Sequence, residues 1–325
     1  VPKAERNRPL EIAGVRIAPG TQGEFEIPVS RLPTGTPVAL TGLALCGLRP
    51  GPRVWLSAAI HGDELNGIEI IRQVLASLNP RTLGGAVIAI PVVNIFGFLN
   101  ESRYLPDRRD LNRSFPGSSR GSLASQIAHL FMTEVVQQCD YGIDLHTGAH
   151  HRRNLPQIRG DLEDEETRSA AIAFGAPVIL HARLRDGSLR EAAKRIGVHV
   201  LLFEGGEAFR FDVATIQVGY DGILSVLNEL GMIRRRKRKR VPVFESYTSR
   251  WGRASKAGLL ILSARLGDRV KRGDTLGFIR DALGVARGPL RAPCDGVVIG
   301  LTTKALVNRG DALVHVAEGA ILRDA

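Results

Sequence analysis

His61-Gly62-Asp63-Glu64 places an imidazole and a carboxylate three residues apart. A second imidazole follows in Asp144-Leu145-His146-Thr147-Gly148. Imidazole nitrogen and carboxylate oxygen are donors that zinc takes, and a catalytic site uses three protein ligands with a fourth position for water. His61, Glu64 and His146 are therefore read as one candidate metal set, holding one zinc ion per chain. A metal hydrolase also needs a group that moves protons. Glu204, in Phe203-Glu204-Gly205-Gly206-Glu207, ends an apolar run and offers that carboxylate in a partly dry place. Glu207 is the competing choice, but it lies further from the run.

The stretch Asp107-Arg108-Arg109-Asp110-Leu111-Asn112-Arg113-Ser114 adds other chemistry. A guanidinium fork matches a carboxylate with two parallel hydrogen bonds, and a side-chain amide adds a donor, so Asn112 and Arg113 suit carboxylate recognition. Arg103, upstream in the same loop, is of a type that polarises a carbonyl and stabilises an oxyanion. Metal-binding histidines usually give their second N–H to a carboxylate or carbonyl. Asp110 fits that role by type, and Asp144 competes for it. Taken alone, His61 and Glu64 would better suit an ordinary helix start, where an acid meets the positive end of the dipole. His146 and Glu204 tip the balance toward a site. His150 and His151 are read as loop or substrate-facing residues rather than extra ligands.

Such residues need rigid elements to hold them. The run at 54–60 predicts a strand that ends just before His61. The segment 66–78 predicts a helix, with apolar residues at 68, 71, 74, 75 and 78. Further strands are expected at 86–93, 141–145, 177–180 and 198–203, and helices at 122–138, 164–174, 189–196 and 211–230. The run at 86–93 is apolar throughout, which marks a central strand. The alternation makes the class α/β over 50–233. The chemical residues fall at the ends of predicted strands. Residues 1–49 read as a β segment flanking this domain, 234–240 as a basic linker, and 241–325 as a small β-domain. In that last segment Val270-Lys271-Arg272-Gly273-Asp274-Thr275-Leu276 recurs as Val307-Asn308-Arg309-Gly310-Asp311-Ala312-Leu313, a spacing of 37. Two such halves with Gly-Asp turns resemble a biotinyl/lipoyl-type barrel sandwich. No lysine stands at a hairpin tip between them, so the segment is read as a structural or docking module.

The four motifs, His61-Gly62-Asp63-Glu64, Asp110-Leu111-Asn112-Arg113-Ser114-Phe115-Pro116-Gly117, Asp144-Leu145-His146-Thr147-Gly148 and Glu204-Gly205-Gly206-Glu207, together resemble the succinylglutamate desuccinylase/aspartoacylase family. That family is a branch of the zinc carboxypeptidase-like hydrolases. The resemblance implies a mixed central sheet flanked by helices, with a small β-domain after it. It implies zinc on His61, Glu64 and His146, and Glu204 as general base. Asn112 and Arg113 would bind a substrate carboxylate, Arg103 would help polarise the scissile carbonyl, and Asp110 would orient His61. The implied activity is cleavage of an N-acyl amino acid, or a similar small amide bearing a carboxylate.

Two rival readings remain at this level. A carboxypeptidase acting on short or glutamate-rich acidic tails would use the same zinc and arginine groups. A non-catalytic binding protein, or a nucleic-acid binder, would act through Arg234-Arg235-Arg236-Lys237-Arg238-Lys239-Arg240. The formal charge of +11 comes largely from that run. No aromatic residues interleave with it, which favours a solvated linker over a nucleic-acid surface. The expected partner is thus a small N-acyl amino acid or short acidic peptide, without nucleic acid. A homo-oligomer is compatible with the sequence. No apolar run reaches the ~20 residues of a membrane span. Val1-Pro2-Lys3-Ala4-Glu5-Arg6 does not read as a secretory signal. Three widely spaced cysteines suggest a reducing compartment, so the expected location is cytoplasmic.

Overall fold

Alternate residues of the strand Arg49–Ala58 choose opposite sides. Val54, Leu56 and Ala58 enter one core cluster, and Trp55 enters the other. This is the period of two expected when a strand is covered on both faces. The strand Gly84–Ile90 is buried at every residue, as its unbroken apolar run requires. On one face lie helices Asn66–Ser77, Glu165–Phe174 and Val213–Glu229. On the other lie Leu123–Glu134 and Leu189–Arg195. The computed structural model describes residues 7–235 and 242–322. Residues 236–240 of the expected basic linker lie outside the described residues. Arg235, the last residue described before them, pairs with Asp221 at 3.0 Å.

Among the described residues the mixed sheet has twelve strands. Its centre is a parallel set in the order Gly84–Ile90, Arg49–Ala58, Tyr141–Gly148 and His199–Glu207. Strands Pro37–Cys46 and Thr21–Arg31 extend one edge in antiparallel fashion. On the other side Arg152–Gly160 pairs antiparallel with His199–Glu207. This strand was not expected. Charged and polar residues fill it and Pro156 interrupts it, so no apolar run announces a strand.

The sheet then continues into the C-terminal segment. Arg152–Gly160 pairs with Val178–His181, that with Val243–Arg253, that with Ala312–Leu322, and that with Gly296–Thr302. Gly296–Thr302 returns to pair with Arg152–Gly160, closing a ring. The C-terminal strands are thus built into the main sheet. A separate sheet, ordered Ala286–Arg291, Thr275–Arg280, Gly258–Leu262 and Leu306–Val307, packs over its own apolar cluster. The sequence repeat has a physical counterpart. Asp274 Oδ2 accepts from Lys271 N, and Asp311 Oδ2 accepts from Asn308 N, each at 2.8 Å. Gly273 and Gly310 turn the chain with φ of 90° and 91°. The same turn occurs a third time, where Asp268 Oδ2 accepts from Arg265 N at 2.7 Å.

Candidate active site

The parallel strands end along one edge of the sheet, and that edge gathers the chemical residues. His61 follows strand Arg49–Ala58, His146 lies near the end of Tyr141–Gly148, and Glu204 is its direct neighbour across the pair with His199–Glu207. Gly62 lets the His61 corner form. A Cβ there would lie 1.9 Å from the carbonyl carbon of Gly97, so only glycine fits beneath the short helix Ile95–Leu99. Gly206, with φ of 74°, bends the other strand end, and the pairing with Tyr141–Gly148 shifts register between Glu204 and Glu207. Asn66 ties this bend to the starts of helices Asn66–Ser77 and Val213–Glu229. Its Nδ2 donates to Gly205 O at 3.2 Å, and its Oδ1 accepts from Asp212 N at 2.9 Å.

His61, Glu64 and His146 are all buried, and their ligand atoms lie within 4.8 Å of one another. Glu64 faces both imidazoles. Its Oε1 is 2.8 Å from His61 Nδ1, and its Oε2 is 2.8 Å from His146 Nδ1. The far nitrogens turn to aspartates. His146 Nε2 lies 2.7 Å from Asp144 Oδ2, and His61 Nε2 lies 3.3 Å from Asp110 Oδ1. Asp110 and Asp144, weighed as rivals for one role, each face a different histidine. An aspartate behind each ring takes the Nε2–H and leaves the Nδ1 lone pair directed inward. Ser57 Oγ donates to Asp144 Oδ1 at 2.7 Å, and Thr147 N donates to Glu64 Oε2 at 3.1 Å.

The charges are strongly coupled. Burial opposes ionisation of Glu64, but the two histidines outweigh it and hold the carboxyl well below its usual range. Burial disfavours the imidazolium of His61, yet Glu64 and Asp110 raise its pKa. His146 is raised in the same way by Asp144 and Glu64. A cluster that draws protons onto two inward-facing imidazoles suits a divalent cation in their place. Two Nδ1 donors, one carboxylate and a supporting aspartate behind each ring fit zinc.

Around this set stand the other expected residues. Arg103 grips Asp110 with Nε at 3.2 Å and Nη2 at 2.8 Å. Its Nη1 reaches inward, 3.3 Å from His61 Nδ1. Asn112 is buried, and its Oδ1 accepts from Leu189 N at 2.9 Å, which leaves its amide N–H groups for other partners. Arg113 donates from Nη1 to Asn112 O and has no carboxylate partner among the described residues. Burial lowers the Arg113 pKa, with Arg185 and Arg103 acting in the same direction. Glu204 has a partner that the sequence reading did not name. Arg159 Nε lies 2.6 Å from its Oε2, a close ion pair in which the N–H is not aimed along the line of contact.

All of these except Asp110 and Asp144 line a cavity of about 530 Å³. Its far wall comes from the ring of strands, and the parts of it at Trp251 and His315 were not anticipated. Trp251 stacks on His315 with ring centres 4.3 Å apart, and Arg152 Cζ lies over the Trp251 ring, 4.5 Å from its centre. His315 Nε2 meets Ser249 Oγ at 2.8 Å. No local motif marks these residues. Their only sequence signal is alternation along strands that pair across most of the chain. His150 and His151 stack on each other at 3.7 Å, away from the ligand set.

Strand ends carrying a His–Glu–His donor set, beside the Glu204 carboxylate and an arginine-rich cavity, define a class: α/β proteins with a candidate divalent-metal hydrolytic site. The chain belongs to the succinylglutamate desuccinylase/aspartoacylase family, whose catalytic-domain model matches residues 50–230. It is similar to the N-alpha-acetyl-L-2,4-diaminobutyric acid deacetylase of Halomonas elongata, at 28% identity over 332 residues, covering 98% of this chain and 97% of that protein. The crystal structure of a succinylglutamate desuccinylase/aspartoacylase from Rhodobacter sphaeroides aligns with a TM-score of 0.79 at 29% identity, covering 92% and 95% of the two chains. The ectoine utilization protein EutE (DoeB) from Ruegeria pomeroyi shares the fold, with a TM-score of 0.81 at 23% identity over 92% and 97%. Family membership makes the chain an amide-bond hydrolase of the deacylase kind. Among the described residues no helix is long and apolar enough to cross a membrane.

Proposed function

We infer that this protein is a zinc-dependent deacylase that cleaves the amide bond of an N-acyl amino acid. One observation carries the reading: the buried His61, Glu64 and His146 set, with both imidazoles turned Nδ1-inward and an aspartate behind each. The deacetylase activity named for the Halomonas elongata relative supports the reaction class. When bound, zinc supplies Lewis acidity to the scissile carbonyl and acidifies water.

The chain's own residues do the rest. Asn112 and Arg113 hold the substrate carboxylate by amide and guanidinium hydrogen bonds, which fixes the amide over the strand ends. Arg103, locked in place by Asp110, presents Nη1 to the carbonyl oxygen as negative charge develops there. Glu204 takes a proton from the attacking water on Oε1, because Oε2 is held by Arg159. It then delivers that proton to the departing nitrogen, so the amine leaves neutral. The test is zinc content measured together with hydrolysis of N-acetyl amino acids. Zinc-loaded protein that cleaves none of a broad panel would overturn the reading.

A further inference from the structure

The small separate sheet of Gly258–Leu262, Thr275–Arg280, Ala286–Arg291 and Leu306–Val307 sends Leu260, Leu276, Ile279 and Leu290 into the apolar cluster beneath it. The side chains that alternate with these meet water, where an antiparallel sheet ordinarily carries polar residues. Here they are apolar. Leu259, Ile261, Phe278 and Leu306 are all exposed, Leu306 at 66%. The register sets them side by side. Leu306 lies opposite Leu259, Ile261 opposite Phe278, and Phe278 in turn opposite Pro289. The hairpin joining Thr275–Arg280 to Ala286–Arg291 adds the exposed Val285 and, at 92% exposure, Leu283. Lone surface leucines need no explanation, but a continuous apolar face of this kind marks a docking surface.

Charge selects the occupant. Arg280 lies opposite Leu259 and is exposed on the same sheet. Lys256 and Lys304, both exposed, precede the strands that carry Leu259 and Leu306. Arg287 flanks the hairpin and meets Asp281 at 3.0 Å. That acid is already engaged, since its Oδ1 also accepts from Leu283 N and Val285 N. Across 242–322 twelve Lys and Arg stand against seven Asp and Glu, so the segment is basic without the run at 234–240. A second copy packed on this face about a two-fold axis would bring the same cations together, at a cost. Folded protein partners are usually gripped through Trp and Tyr anchors, and the four strands and the hairpin contain neither. Leucine, isoleucine, valine and phenylalanine beside lysine and arginine are instead the composition of an interfacial lipid-binding face. The apolar groups sink below the headgroups, while the long basic side chains stay at the level of the phosphates.

We propose that the outer face of this sheet, with the 281–285 hairpin at its tip, docks the protein on an anionic lipid bilayer. The inference is independent of the deacylase reading. None of the residues that form the face lines the active-site cavity, so docking and hydrolysis are scored apart. Neither the apolar groups nor the cations alone would hold the protein on the bilayer, because stable attachment takes two signals acting together.

Co-sedimentation of the zinc-loaded full chain with vesicles tests this. Vesicles of phosphatidylcholine mixed with phosphatidylglycerol should carry the protein down at low salt, and phosphatidylcholine alone should not. Added salt should weaken the binding. The basic run at 234–240 attracts the same vesicles by charge alone, so substitutions on the apolar face are decisive. Leu283→Ser and Ile261→Ser should each weaken partition by about tenfold, the worth of a few buried methylene groups. Arg280→Gln should weaken it by about fivefold. Leu283 is 92% exposed, so Leu283→Ser keeps the fold and its thermal melt should match wild type. No binding to the mixed vesicles, equal binding to phosphatidylcholine alone, or unchanged binding in both serine variants overturns the proposal. Two other outcomes overturn it by naming a different occupant. A wild-type dimer in sedimentation equilibrium that Phe278→Ser splits gives the face to a second copy. Binding of polyglutamate that Leu283→Ser abolishes, with none to vesicles, gives it to an acidic protein.

Discussion

Replacing Asp144 by asparagine keeps the side chain's shape and removes its charge. Asp144 is fully buried, takes the His146 Nε2–H at 2.7 Å and accepts from Ser57 Oγ at 2.7 Å. In Asp144→Asn the amide oxygen still accepts from His146, and the Ser57 hydroxyl can turn to accept from the new N–H₂. What is lost is the negative charge that makes His146 a stronger donor through Nδ1. Carboxylates behind metal-binding histidines are worth about tenfold to a hundredfold in metal affinity. The short contact and complete burial place Asp144 at the upper end, about 2.7 kcal/mol at ~1.4 kcal/mol per tenfold. Asp110 is 3.3 Å from His61 Nε2 and shares its charge with Arg103, so Asp110→Asn belongs near the lower end, about tenfold. Competition against a chelator of known zinc affinity measures both, with thermal melts as a check on folding. Wild-type zinc affinity in Asp144→Asn, or a greater loss in Asp110→Asn, would refute the reasoning.

Other consequences follow from the same geometry. Gly62→Ala puts a Cβ 1.9 Å from backbone carbon of Gly97, so the corner must shift. A loss of about 1–3 kcal/mol in denaturant unfolding, together with weaker zinc binding, is expected. Asp164 caps the helix Glu165–Phe174 through Thr167 N at 3.0 Å and meets His199 Nδ1 at 2.7 Å. Burial opposes its ionisation, but Thr167 and His199 lower its pKa below the ordinary value. The folded-state pKa is the lower one, so this stabilisation is full above the unfolded value and lost as pH falls through the folded one. Asp164→Ala should therefore cost about 1 kcal/mol near pH 7, with the difference from wild type shrinking in acid melts. Chelation followed by zinc return should abolish and restore deacylation, while the far-UV spectrum stays unchanged because the sheet, not the metal, holds the fold.

The clustering of His61, Glu64 and His146 was legible because its logic is local. His61 and Glu64 share one corner, His146 and Glu204 end neighbouring apolar strands, and such ends are recognisable from composition. Family resemblance then supplied the order in which these motifs occur. The strand pairing that builds the far wall was not legible. Arg152–Gly160 carries few apolar residues, since Arg152, Asn154 and Arg159 line the polar cavity, while Ile158 alone enters the main core and Leu155 packs against a smaller cluster. Its pairing with Gly296–Thr302 joins residues such as Asn154 and Gly300, far apart in the chain, and no local pattern announces that contact. For the same reason the segment after 241 read as a module apart, whereas Val243–Arg253, Gly296–Thr302 and Ala312–Leu322 continue the main sheet. Arg159 escaped notice as the partner of Glu204 because it lies on that missed strand.

The most direct test of the central claim is Glu204→Gln, measured for zinc content and for turnover of an N-acyl amino acid in the same preparation. With Glu204 outside the ligand set, the variant should keep one zinc per chain. It should lose turnover by about a hundredfold to ten-thousandfold, the range for a general base. Full turnover with zinc retained would contradict the account.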